Sequence, residues 1–246
     1  MGYFALLANT TATGGTAVGS GAGDAITTGN GNTVIGNGAG GGITTGSANT
    51  CIGETAGNAS VVLTTGSDNV VIGQDCRTGA VDNDAAIVLG HAVTGVGTRN
   101  FTFGDGGTDS NIAFGATSIS APSDIRLKED IQDEEVGLNF INDLRPVTFL
   151  WKKEKDIPSE MNVYKESSEK RVMNGKHNHG FIAQEVKATI DAHNLKEGFG
   201  MWQEDEADGR QRVSEGSLMS VMVKAVQELS TQVGELQSEL KALKGE

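Results

Sequence analysis

Ile26-Thr27-Thr28-Gly29, followed by Asn32-Thr33-Val34-Ile35-Gly36, is the stretch that decides how the first half of the chain is built. It returns as Ile43-Thr44-Thr45-Gly46 with Asn49-Thr50-Cys51-Ile52-Gly53, and again as Leu63-Thr64-Thr65-Gly66 with Asn69-Val70-Val71-Ile72-Gly73. The spacing is 17 residues and then 20. Fainter echoes stand at Thr16-Ala17-Val18-Gly19, Ile87-Val88-Leu89-Gly90 and Ile112-Ala113-Phe114-Gly115. Each unit is a three- or four-residue β-prone segment closed by glycine and followed by a Gly, Asn or Ser turn. Segments this short make no free-standing sheet, so stability has to come from stacking unit on unit.

Two architectures meet that requirement. In a single-chain β-solenoid, neighbouring coils cover one another; in an intertwined homotrimeric fibre, three thin chains share one narrow apolar core. An aromatic content of 5% and a single aliphatic stripe favour the fibre. Disordered low-complexity sequence is the competing reading, and the regular Val-Ile-Gly spacing argues against it. The strict Gly-X-Y period of collagen is absent. Residues 1–90 are therefore read as a Gly/Thr/Asn-rich β-repeat stalk. Residues 91–120 lose the period but keep Gly104, Gly106, Gly107 and Gly115, and are read as a transition to a second domain.

Composition separates the two halves. Of 35 glycines, 26 fall in the first 120 residues, which contain no lysine. The net charge of -13 is shared, with eight acidic residues against two arginines before Ala121 and the remaining -7 after it. Nothing basic accumulates, which argues against nucleic acid or an anionic membrane as partner. Cys51 and Cys76 make no disulfide framework and read as small buried side chains. No apolar run approaches a membrane span, and Phe4-Ala5-Leu6-Leu7-Ala8 is too short for a signal peptide.

After the joint the pattern changes to a small α/β or α+β domain, residues 121–217. Val136, Leu138, Ile141 and Leu144 predict a helix over about 134–144, stopped by Pro146. Val147-Thr148-Phe149-Leu150-Trp151 predicts a strand, and residues 152–176 an exposed charged excursion. His179-Gly180-Phe181-Ile182-Ala183 reads as a short strand leading into a helix towards Ile190. Met201-Trp202 and Arg212-Val213 suggest a hairpin. From 218 to 246, Met219, Met222, Val226, Leu229, Val233, Leu236, Leu240 and Leu243 alternate by three and four, the seam of a coiled coil. The competing reading is one amphipathic helix docked on its own domain.

The joint itself is Pro122-Ser123-Asp124-Ile125-Arg126-Leu127-Lys128. Serine is a poor nucleophile without a base beside it, and a lysine serves as that base once burial disfavours its ammonium form. Ile125, Leu127 and Ile131 are placed to bury a lysine stem. On these residues alone, Ser123 as a helix cap or turn residue and Lys128 as a solvated charge is the favoured reading. His177 and His179 have no ligand partners at zinc spacing, so no metal and no cofactor are expected.

Three blocks occur in order before the terminal heptads: Ser123-Asp124-Ile125-Arg126-Leu127-Lys128, then Leu144-Arg145-Pro146-Val147-Thr148-Phe149-Leu150-Trp151, then His179-Gly180-Phe181-Ile182-Ala183-Gln184-Glu185-Val186. They resemble the C-terminal intramolecular chaperone domain of phage tail spikes, tail fibres and endosialidases, the peptidase S74 family. The resemblance covers residues 121–246 and implies trimerisation, guided folding of a preceding β-rich stalk, and self-release by cleavage. It maps the dyad to Ser123 and Lys128 and the scissile bond to Pro122–Ser123, with Gln184 and Glu185 as supporting residues. The repeats are loosely similar to the Asn-Thr-x-Ile-Gly units of phage fibres and trimeric adhesin heads.

The function expected is a phage tail fibre or spike precursor, assembled in the host cytoplasm and carried in the virion. Its partners would be two further copies of itself, phage tail or baseplate proteins, and a host cell-surface receptor or glycan. A non-phage surface adhesin and a structural trimer with a silent dyad are the alternatives. A glycan-degrading enzyme is disfavoured, because the repeats leave no room for a catalytic domain. No virion-attachment domain is evident at the N terminus, which suits a fragment or a short fibre.

Overall fold

A computed structural model describes residues 2–195 and 199–245. Residues 196–198 of the expected second domain and residue 246 of the heptad segment lie outside the described residues. The chain divides into two compact units, Met1–Glu129 and Asp130–Glu246.

The first unit is a β-solenoid. Among the described residues, β1 (Thr16–Val18), β2 (Thr33–Ile35), β3 (Thr50–Ile52), β4 (Val70–Ile72), β5 (Ile87–His91) and β6 (Asn100–Asp105) pair in parallel, each with the next. β7 (Thr108–Ala113) turns back antiparallel on β6. Each coil completes its sheet with the next coil of the same chain, the pairing of the single-chain solenoid. The repeat period fades after residue 90, yet the coil continues through β6.

Inward side chains explain how so lean a coil holds together. The middle residues of five strands, Ala17, Val34, Cys51, Val71 and Val88, are register partners and all buried. Ile26, Ile43 and Leu63 form a second column, and Ala22, Ala39, Ala56, Cys76 and Val93 a third. Ala5 and Leu6 pack against the same core, which is the use the chain makes of its early apolar run. Burial pushes the Cys51 thiol up to about 12, as befits a small apolar filler.

The remaining cross-section is filled by an asparagine ladder. Asn32, Asn49 and Asn69 are buried and stacked. Asn49 donates from its backbone N–H (2.9 Å) and its amide (3.1 Å) to Asn32 Oδ1. Asn69 repeats both bonds to Asn49 Oδ1 at 3.0 and 2.9 Å. The second amide proton of Asn49 reaches the Gly66 carbonyl at 2.8 Å. Buried amides are tolerable only when every donor and acceptor is used, and here each rung uses its neighbour's. The glycine closing each strand has an equally local cause. At Gly36, φ is +136° and an added Cβ would lie 2.3 Å from the Gly53 carbonyl oxygen, so the coils approach too closely for any side chain.

Outward side chains make two further columns on the strand face. One runs Thr16, Thr33, Thr50, Val70, Ile87, Phe101; the other runs Val18, Ile35, Ile52, Ile72, Leu89, Phe103.

The second unit contains α1 (Leu138–Asp143), β8 (Val147–Phe149), β9 (Asn178–Gly180), α2 (Ala183–Ala192), β10 (Trp202–Glu204), β11 (Gln211–Val213) and α3 (Leu218–Lys244). β8 pairs antiparallel with β9, and β10 with β11. Phe140, Val186, Ile190, Met201, Leu218 and Val221 form its core. α1 starts later than apolar spacing predicts, at Leu138. Its first free N–H donates 2.8 Å to Glu228 Oε2 on α3, and Gly137 leaves room for that carboxylate, where a Cβ would stand 2.6 Å from it.

The first turns of α3 dock on this core through Leu218, Val221 and Ala225, while Val226, Leu229, Val233, Leu236, Leu240 and Leu243 remain exposed. The helix is docked at its start, and its heptad positions beyond Ala225 are exposed. Among the described residues no helix is long and apolar enough to cross a membrane.

Candidate functional site

The joint folds as one turn of 3-10 helix, Ile125–Leu127. Asp124 caps it, its carboxylate accepting from the Arg126 backbone N–H at 2.9 Å. The Arg126 guanidinium then grips the same carboxylate, with Nε 3.0 Å from Oδ1 and Nη2 2.6 Å from Oδ2. That fork holds the Asp124 carboxyl below its ordinary range. The Lys128 backbone N–H closes the turn on the Ile125 carbonyl at 3.1 Å.

This short turn brings Lys128 back beside Ser123. Lys128 Nζ donates to Ser123 Oγ at 2.7 Å. The residues expected to enclose the lysine do not: Ile125, Leu127 and Ile131 are 72%, 68% and 61% exposed. Three apolar side chains within seven residues find no core of their own to enter, because the turn is too short to fold back over them.

Gln184 and Glu185 lie in the second unit, on the first turn of α2. Glu185 is taken by Arg145, with Nε 3.0 Å from Oε2 and Nη2 2.5 Å from Oε1. The Arg145 hydrogen bonds hold the Glu185 carboxyl below its ordinary range. The pair ties the Leu144-Arg145-Pro146 block to the His179–Val186 block, so two motifs far apart in sequence are joined by one ion pair.

Gln184 is exposed and lines a hollow of about 950 Å³ together with Phe149, Trp151, Phe181 and Arg212. The charged excursion, which no motif explained, forms the opposite wall through Ile157, Met161, Val163, Val172 and Met173. It folds back on itself: Arg171 Nη1 donates to the Trp151 carbonyl at 2.6 Å, and Val172 N–H to the Lys152 carbonyl at 3.0 Å. Glu169 clamps it by pairing with both Lys153 and Lys155, which hold its carboxyl down to about 2. Sequence showed only the charges; the interleaved aliphatics were the signal that the segment covers something. Among the described residues, no group of three or more His, Cys, Asp or Glu side chains gathers as a metal site.

Residues 123–195 match the family model described as chaperone of endosialidase, Peptidase S74. This stretch is similar to that chaperone family. The S74 match begins at Ser123, the residue that accepts the Lys128 hydrogen bond, and covers under a third of the chain. The β-solenoid precedes it and α3 follows it. No curated protein and no solved structure matches the chain.

Proposed function

We propose that the chain is a phage tail fibre or spike precursor whose S74 domain assembles three copies, sets the register of the solenoid stalk, and then frees itself by cutting Pro122–Ser123. The observation that carries the cut is the 2.7 Å hydrogen bond between Lys128 Nζ and Ser123 Oγ at the first residue of the S74 match. Gln184 and Glu185 are supporting residues in this reading, Glu185 through its pair with Arg145, which joins two blocks of its own domain.

The chemistry is local. Neutral Lys128 takes the hydroxyl proton as Ser123 Oγ adds to the Pro122 carbonyl carbon, closing a five-membered ring. Collapse of that ring breaks the C–N bond, and the Ser123 nitrogen leaves with the proton Lys128 held. The product is an ester between Pro122 and Ser123 Oγ. Water splits it, leaving a Pro122 carboxylate and restoring the Ser123 hydroxyl.

Solvent exposure of the pair in one chain supports coupling of the cut to assembly. An ammonium in water keeps its proton, and Ile125, Leu127 and Ile131 are exposed apolar side chains that neighbouring copies would cover. The cut therefore follows trimerisation. Its biological use follows from the repeat: near-identical coils pair out of register easily, and anchoring three chains at one end removes the slipped alternatives. The released stalk is then held kinetically, with no foldase left attached.

Intact-mass spectrometry over a time course tests the cut. Wild type should give fragments ending at Pro122 and beginning at Ser123. Ser123→Ala should stay full length and still assemble, because Oγ fills no packing role. Lys128→Arg should also stay full length, since a guanidinium keeps its charge but does not act as a base. Cleavage of Ser123→Ala at the same bond would sink the dyad.

A further inference from the structure

We infer that the outward strand face of the solenoid, β1 to β6, is the surface through which copies of this stalk pack on one another, each coil against the same coil of its neighbour. The inference rests on the reading of the chain as a self-assembling fibre, and goes beyond it by naming the contact face.

The face is unusual within this molecule. Solenoid strands turn one side chain in and two out, and outward positions are expected to be polar. Here the column from Val18 to Phe103 is aliphatic or aromatic at every coil, with Ile35 37% and Leu89 45% exposed. Its companion column changes from Thr16, Thr33 and Thr50 to Val70, Ile87 and Phe101. Neither column contains a charged residue; the acidic side chains of the repeats, among them Asp24, Glu54, Asp68, Asp75 and Asp82, stand in the turns.

That distribution selects the occupant. A chain of net charge -13 repels its own copies on every face that carries carboxylates, and meets them without that cost only across an uncharged one. A basic or anionic partner would find no complementary charge on these columns. Helix α3 supplies an exposed heptad seam in the same chain, so the same molecule presents two unpartnered apolar stripes. In a closed ring, copies joined at one end stand at equal height, and each coil faces its own counterpart.

Size accounts for the need for a helper. Six strands about 4.8 Å apart and three residues wide make a face of roughly 24 by 10 Å. That lies well below the ~800 Å² per partner of a stable interface. The face specifies register but is too small to assemble alone, so it depends on α3 to bring copies together.

Cysteine cross-linking of the full chain tests this. Cys51 and Cys76 are buried and serve as silent background. Ile35→Cys and Leu89→Cys should each give a covalent dimer on mild oxidation, seen on a non-reducing denaturing gel. Thr45→Cys, exposed on a different face, should remain monomeric. Co-expressed Ile35→Cys and Leu89→Cys chains should not link to each other, because three strand spacings, about 14 Å, exceed disulfide reach. Sedimentation of the wild-type chain separates the two ways of failing. A monomer overturns the assembly reading and this face with it. An assembled chain that links at Thr45→Cys, or that links at neither Ile35→Cys nor Leu89→Cys, overturns the face alone and leaves the columns to a foreign partner.

Discussion

Asn49 links two neighbouring rungs of the solenoid. Its side chain accepts from the Asn69 backbone and amide and donates to Asn32 and to the Gly66 carbonyl. Asn49→Ala leaves the Asn69 N–H and the Gly66 carbonyl without partners, at roughly 1–3 kcal/mol for each buried group. Denaturant unfolding of the full chain should show a loss of that size in the stalk transition, whereas Thr45→Ala, exposed at a turn, should cost under about 0.5 kcal/mol. The recurrence of Asn was plain in the sequence, but its reason was not. A repeated Asn reads equally well as a turn former, and only the 17-residue return of the coil puts one amide above the next. The contact between Ser123 and Lys128 was legible because their spacing is local; the exposure of Ile125 and Leu127 was not, because burial depends on what stands opposite them.

At the scale of elements, the folded-back excursion and α3 give separate tests. Glu169 has its carboxyl held near 2 by Lys153 and Lys155, against an ordinary value of 4.5. A depressed carboxyl contributes stability that is present above pH 4.5 and lost as pH falls towards 2. NMR titration should therefore find Glu169 ionised to about pH 2, and Lys153→Ala with Lys155→Ala should return it towards 4.5. In α3, Leu229 and Leu236 are exposed seam residues that touch no core of their own domain. Leu229→Asp with Leu236→Asp should leave the helical signal of one chain largely intact and shift the full chain from trimer to monomer in sedimentation equilibrium. A trimer that survives both changes would rule out the seam as the assembly element. The heptad was visible in sequence because its period is long and regular. The late start of α1 was not, since it depends on Glu228, ninety residues away.

For the whole molecule, the expected dependence runs from the C-terminal end to the stalk. Residues 1–120 expressed alone should fold as coils but fail to form protease-resistant trimers; resistant trimers from that piece would remove the need for a chaperone. Sequence gave a choice between a coil and a shared fibre, and thinness of the core tipped it towards the fibre. The asparagine ladder and the glycine-closed approach of coils supply what that argument lacked, because they stabilise a narrow section without apolar bulk. The architecture also has a mechanical meaning. Inter-coil hydrogen bonds such as Gly36 N–H to Val18 O and Gly53 N–H to Ile35 O run from coil to coil. A pull along the axis loads successive coil-to-coil contacts in series, so each carries the same force and the weakest opens first. Each 17-residue coil peeled away releases ~55 Å of chain, and a stretched stalk lengthens as a staircase of such steps, dissipating work at each one.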